Sequence, residues 1–227
     1  MATRVGVVLS GCGHRDGAEV RESVLALLAI DRAGAEARCF APDAPQASVV
    51  DHRTGAAVPA ESRNVLVEAA RIARGRIEDV KAARAKDLDA LVLPGGYGAA
   101  KNLSNFAEKG HGADVHPEVA RLIREMHAAG KPIGAICIAP AVVARVLGAS
   151  HVKVTIGDDA GTAKEIEGCG AVHQDCPVDR VVVDEANRVV TTPAYMYGDA
   201  RLSAVAAGIE LCVHEVLARA RAPVPAR

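Results

Sequence analysis

The sequence predicts an α/β fold built on a mainly parallel sheet with helices on both faces. Three observations carry this reading. Short β-branched runs alternate with segments of helical period along the chain. The runs are apolar throughout instead of alternating with polar residues, as strands buried on both faces must be. Half of the 227 residues are hydrophobic, and no Pro/Gly/Ser-rich linker, repeat or low-complexity tract divides them. Residues 1–227 are therefore expected to form a single domain.

Arg4 to Ser10 reads as the first strand, followed by a Gly-rich turn, Gly11 to Gly17. Val20, Val24, Leu27 and Leu28 then recur at helical spacing, and Gly34 closes that helix. Ala37 to Ala41 is a second strand, and Val65, Ala69, Ile72 and Ala73 mark the next helix. Asp89 to Leu93 is a strand that stops at Pro94-Gly95-Gly96. Val119, Leu122, Ile123 and Met126 mark a helix closed by Gly130. Pro132 to Ile136 is a strand that runs directly into Cys137 and a helix ending at Leu147. Val152 to Thr155 forms the strand after that helix. Val181 to Asp184 and Val189 to Thr191 read as a hairpin, and Leu202, Val205, Ile209, Cys212 and Val216 line the last helix. Two long polar stretches remain, Pro42 to Arg63 and Tyr97 to His116. Loops of that length in a compact fold are expected to be lids or binding loops.

Composition excludes several classes. Lys and Arg number 27 against 28 Asp and Glu, so no basic face for nucleic acid is expected. Two Phe, three Tyr and no Trp leave little for base stacking or a membrane-interface belt. No run of 18 apolar residues offers a membrane span. The first residues lack a signal-peptide pattern, and the six cysteines lack the spacing of a disulfide framework. A cytoplasmic protein with reduced thiols is expected.

In an open parallel sheet, ligands bind beyond the carboxyl ends of the strands. Three turns qualify: Gly11 to Glu22, Pro94 to Asn102, and Ile136 to Pro140. Cys137 is the strongest candidate for chemistry. It stands between a strand and a helix start marked by Pro140, the arrangement of a nucleophile elbow. Helix N–H groups there are expected to lower its pKa below about 8.5. A buried core cysteine is the competing reading. The paired Gly95 and Gly96 let backbone N–H groups approach a ligand as oxyanion donors, although an ordinary turn has the same sequence. Glu22, at the start of the first helix, could exchange a proton with a thiol brought beside it, or could be a solvated helix-start acid. Cys169, His173 and Cys176 fall within eight residues but lack a C-x2-C pair and a fourth ligand, so no metal is expected. Gly11-Cys12-Gly13 with Gly17 does not have the spacing of a dinucleotide fingerprint.

Taken together, the turns and their flanks resemble the class I glutamine amidotransferase-like superfamily, in the branch of PfpI and the Parkinson's-associated deglycase. Within it, the chain is most similar to the isoprenoid-biosynthesis glyoxalase (ElbB) group, nearly end to end. The segments that carry the resemblance are Leu9-Ser10-Gly11-Cys12-Gly13, Cys39-Phe40-Ala41-Pro42-Asp43, and the run from Pro94 through Gly98-Ala99-Ala100-Lys101-Asn102 to Phe106. Cys137-Ile138-Ala139-Pro140, Cys176-Pro177-Val178-Asp179 and Thr191-Thr192-Pro193-Ala194-Tyr195-Met196 complete it. The resemblance implies a flavodoxin-like three-layer sandwich, a homodimer, and a cofactor-independent site for a small dicarbonyl. It also implies a cysteine nucleophile at Cys137, its carboxylate partner at Glu22, and oxyanion donors on the backbone of Gly96 and Ile138.

The chain departs from the superfamily in two places. Where many members carry a histidine after the strand following the elbow helix, this chain is close to Gly157. Ile138 follows the cysteine where amidotransferases and proteases often have histidine. These departures disfavour amide hydrolysis, which needs a proton donor for its leaving group. The activity implied is conversion of glyoxal to glycolate, or methylglyoxal to lactate, with a deglycase activity on the same chemistry. His173 is the rival base. The alternative function is a redox-sensing or interaction protein with an oxidisable cysteine.

Overall fold

A computed structural model of the chain describes residues 2–222. Seven strands form the central sheet: β1 (Arg4–Val8), β2 (Glu36–Ala41), β3 (Ile77–Asp79), β4 (Ala90–Leu93), β5 (Ile133–Ile136), β8 (Val182–Asp184) and β9 (Val189–Thr192). Their order is β3-β2-β1-β4-β5-β9-β8, parallel except for the β8–β9 hairpin. The two remaining strands, β6 (Lys153–Val154) and β7 (Val172–His173), pair in a separate parallel sheet. The flavodoxin-like α/β sandwich expected from the sequence is thus the architecture observed.

Alternation along the strands divides the core. In β4, Ala90 and Val92 face one layer, while Leu91 and Leu93 face the other. The first layer packs under α1 (Val20–Arg32), α2 (Val65–Ile72) and α8 (Leu202–Arg221) through Ile30, Ala69, Val205 and Val213. The second packs under α5 (Pro117–Ala128) and α6 (Ala139–Leu147) through Leu122, Ile123, Met126 and Val142. Three further helices, α3 (Tyr97–Lys101), α4 (Phe106–Lys109) and α7 (Ala160–Gly168), complete that side. No helix of the described residues is long and apolar enough to cross a membrane.

Two expectations are corrected. On α1 the apolar set Val20, Val24 and Leu28 faces outward, 40, 49 and 39 % exposed, while Glu22, Ser23, Ala26, Ala29 and Ile30 are buried. Ala26 and Ala29 give the closely packed face their small side chains, and burial of Glu22, held by two backbone N–H groups, fixes the helix rotation. The strand after α6 leaves the central sheet because the β8–β9 hairpin occupies the edge beyond β5. Of the two long stretches, residues 97–116 fold into α3, α4 and a turn that line the cavity described below. Residues 42–63 do not line it; they brace the first Gly-rich turn through Gln46 and Val50 to Asp16.

Strand order reverses between β1, which leads outward to β2 and β3, and β4, which leads to β5 and β9. Loops at such a switch point separate and leave a crevice. The turns after β1, β4 and β5 converge there.

Candidate active site

Cys137 follows β5 directly and adopts φ +60°, a left-handed conformation rare outside glycine. Such backbone strain costs on the order of 1–3 kcal/mol and persists where the surroundings over-determine it. Here its N–H donates to Thr192 O (2.9 Å), and α6 begins two residues later with Pro140 in its first turn. The sulfur is thereby lifted off the strand end, and the backbone N–H groups of Gly96 and Ile138 point at it.

Glu22 reaches the same point from α1. It is fully buried, and its carboxyl group lies beside the Cys137 thiol. Oε2 accepts from Gly95 N (3.0 Å) and Oε1 from Tyr195 N (3.2 Å). The second donor is aimed by Ala194, a buried alanine at φ +44° in the turn after β9. Gly95 therefore serves the carboxylate, whereas the sulfur receives Gly96 and Ile138. Gly95 also has no room for a side chain: a Cβ there would lie 2.7 Å from Glu22 Oε2 and 2.8 Å from Ile136 O, and against Cys137 Cβ.

The electrostatics differ from the sequence expectation. Burial and the negative charge of Glu19 push the Glu22 carboxyl up to about 8. Burial, followed by the Glu22 carboxylate, pushes the Cys137 thiol well above the ordinary cysteine range. The helix N–H groups favour the thiolate, as the sequence suggested, but they are outweighed. At neutral pH the pair keeps its protons, and the first one leaves the pair as a unit. The carboxyl is the group poised near physiological pH.

A cavity of about 540 Å³ opens over Cys137. Glu19, at the N-cap of α1, stands on its wall, and its carboxylate accepts from Glu22 N (2.6 Å). His14, Phe106, Thr162, Glu165, Tyr195 and Met196 line the rest with others from α3 and α4. Sequence reasoning singled out none of Glu19, His14, Thr162 or Glu165 for chemistry. Glu19 alone left a signal, as a second acid three residues before Glu22.

His173 does not line the cavity. Its ring is buried, and Nε2 accepts from Ile156 N (3.3 Å), bracing the small β6–β7 sheet. Cys176 lies in a different hollow and its thiol faces Pro177 O, while Cys169 ends α7. Among the described residues no three His, Cys, Asp or Glu side chains are grouped to hold a metal ion. Near Gly157, where the resemblance would put a histidine, φ is +93° and a Cβ would stand 3.1 Å from the Tyr197 ring. The histidine on the cavity wall is instead His14, whose pKa burial and neighbouring His52 hold down.

Comparison with known proteins identifies the family and the fold. The chain is 48 % identical over 225 residues to the human "Glutamine amidotransferase-like class 1 domain-containing protein 3, mitochondrial", covering 95 % of this chain and 83 % of that one. It is 46 % identical to the rat "ES1 protein homolog, mitochondrial", covering 94 % and 83 %. Among solved structures, an isoprenoid biosynthesis protein with an amidotransferase-like domain from Ehrlichia chaffeensis superposes with a TM-score of 0.90. That pair is 44 % identical, with coverage of 96 % of this chain and 99 % of the other. The family model described as DJ-1/PfpI matches residues 14–199, a span that holds Glu22, the Gly95–Gly96 turn and Cys137. On the strength of that match and these relatives, the chain belongs to the DJ-1/PfpI family, whose members include enzymes of the glyoxalase and deglycase type.

Proposed function

We propose that this protein is a cofactor-independent glyoxalase that converts glyoxal to glycolate, and methylglyoxal to lactate, through a hemithioacetal on Cys137. The observation that carries the reading is the buried Cys137–Glu22 pair, with Gly96 and Ile138 N–H groups beside the sulfur. The thiol adds to one aldehyde carbon. In the fraction of molecules whose Glu22 is ionised, a C–S bond forms, the thiol proton passes to the Glu22 carboxylate, and the carbonyl oxygen gains negative charge toward which the Gly96 and Ile138 N–H groups donate. That oxygen then takes this proton back from Glu22, leaving its carboxylate free to remove the hemithioacetal C–H proton. Returning it to the neighbouring carbon, while the hydroxyl proton of the adduct moves to the neighbouring oxygen, converts the adduct into the thioester of a hydroxy acid. Water cleaves the thioester, releasing the hydroxy acid and restoring the thiol.

A carboxyl held at about 8 suits this work, since it both accepts and returns a proton near neutral pH. His14 is the rival base on the cavity wall, replacing His173 in that role. The same addition, made to an early glycation adduct, would give deglycase activity. Homodimeric assembly and a cytoplasmic setting remain part of the proposal; the relatives named mitochondrial make organelle fractionation its natural check. The redox-sensing alternative is less well supported, because a thiol pushed upward in pKa presents little thiolate to oxidants.

The test is direct loss of glyoxal with glycolate quantified, in amine-free buffer, for the wild type and Cys137→Ser. Stoichiometric glycolate that vanishes in the variant supports the reading. Equal glyoxal loss in both, or loss without glycolate, overturns it.

A further inference from the structure

The cavity over Cys137 has an uneven charge. Glu19 and Glu165 stand on its wall, and Glu22 lies behind the sulfur. Among the described residues no Lys or Arg lines it. Arg21 and Lys101 come near, but each is engaged with a lining tyrosine: Arg21 with the Tyr195 hydroxyl (3.0 Å) and Lys101 over the Tyr97 ring (5.3 Å). The Gly96 and Ile138 N–H groups are directed at the sulfur and at the oxygen that forms beside it, so they offer nothing to a carboxylate or phosphate elsewhere on a bound compound. Burial, followed by the neighbouring His52, lowers the pKa of His14.

Glu165 is the more fixed of the two wall carboxylates. Its Oε2 accepts the backbone N–H of His111 (2.8 Å) and contacts His111 Nδ1 (2.6 Å). Those bonds hold the carboxyl below the usual carboxylate range. A Cβ at Gly110 would collide with this side chain, so the glycine opens the space in which the carboxylate sits. The charge is thus tied across the cavity mouth, joining α7 to the turn after α4.

We propose that the cavity sorts carbonyl compounds by charge, admitting uncharged or amine-bearing aldehydes and turning away those that carry a carboxylate or phosphate, with Glu165 as the residue that sets the preference. This deepens the glyoxalase reading and, for its substrate class, rests on it. An anion approaching Cys137 meets the like charges of Glu19 and Glu165 on the wall, while the nearest cations, Arg21 and Lys101, stand outside it against Tyr195 and Tyr97. At the partly screened distances of such a cavity this repulsion amounts to about three- to tenfold in rate.

The test uses two alkylating agents of nearly equal size, neutral iodoacetamide and anionic iodoacetate. Their rates at Cys137 are read by peptide mass spectrometry at about pH 8 and expressed as a ratio, against the same ratio for 2-mercaptoethanol. At low salt the Cys137 ratio should exceed the reference by about three- to tenfold, and high salt should shrink the excess. Glu165→Gln should reduce it by about threefold. Thr162→Lys, which puts a cation on the same wall, should bring it to or below the reference. A ratio equal to that of 2-mercaptoethanol overturns the proposal. So does an excess that neither salt nor either variant moves, because that would be a filter of shape. Glyoxal turnover is followed in parallel. Absent turnover with the ratio intact removes the glyoxalase reading and leaves the charge preference; turnover with a reference-like ratio removes the charge preference alone.

Discussion

Two regions of this chain hold nucleophile-like residues in very different ways. Cys169, His173 and Cys176 are neighbours in sequence, yet each serves its own local structure: a helix end, a brace for β6–β7, and the lining of a separate hollow. Cys137, Glu22, Gly95–Gly96 and Tyr195 are scattered over some 170 positions, yet they share one cluster of hydrogen bonds. The difference is topological. Strand ends at a switch point gather side chains from distant segments, whereas a short stretch that leaves a helix and passes through one short strand disperses its own. Compactness in sequence is a poor guide to a site unless a spacing rule of the chemistry, such as a metal pair, backs it.

Mutating the two regions should separate them sharply. Cys137→Ser is expected to abolish glyoxal turnover, since no other described thiol shares the cavity wall. Glu22→Gln should follow with a loss on the order of 10²–10⁴ in kcat. His14→Ala losing as much, with Glu22→Gln active, would move the base to His14. Gly95→Ala should cost about 1–3 kcal/mol of stability by overpacking, measured by urea unfolding. It should also lower kcat, because the new methyl displaces both partners at once.

A subtler difference concerns pH. The folded carboxyl of Glu22 titrates at about 8, against 4.5 when unperturbed. Between those values the folded chain holds a proton that the unfolded chain has released, so this group's contribution to stability falls as pH rises through the window. Wild-type unfolding free energy should therefore decline more steeply between about pH 5 and about pH 8 than that of Glu22→Gln. Parallel curves would contradict the raised carboxyl. In the other region His173→Ala should leave turnover unchanged and cost about 1 kcal/mol, the loss of one hydrogen bond to Ile156 N, read as a lower Tm.

Much of this was legible in the sequence. Strand–helix alternation identified the parallel sheet, and the strand-to-helix position of Cys137 marked the elbow. Glu22 needed the resemblance, because an acid at a helix start is ordinary. The orientation of α1 was not legible. Val20, Val24 and Leu28 form the better apolar stripe, but the buried carboxyl and the small Ala26 and Ala29 decide which face turns inward. The pKa of Cys137 was misjudged for a related reason: the helix N–H groups are visible in the sequence pattern, whereas burial and the facing carboxylate exist only once the fold assembles. Glu165 and Thr162 reach the cavity from α7, a helix with no strong apolar period and hence no sequence signature.

The central claim is that Cys137 and Glu22 act as one proton-sharing unit. It is tested most directly by kcat/KM for glyoxal from about pH 5 to about pH 10, in the wild type and Glu22→Gln. The pair should give the wild type a rise with an apparent midpoint near 8, and Glu22→Gln should lose both the rise and most of the rate. A Glu22→Gln enzyme with the wild-type rate and the same midpoint would contradict the claim.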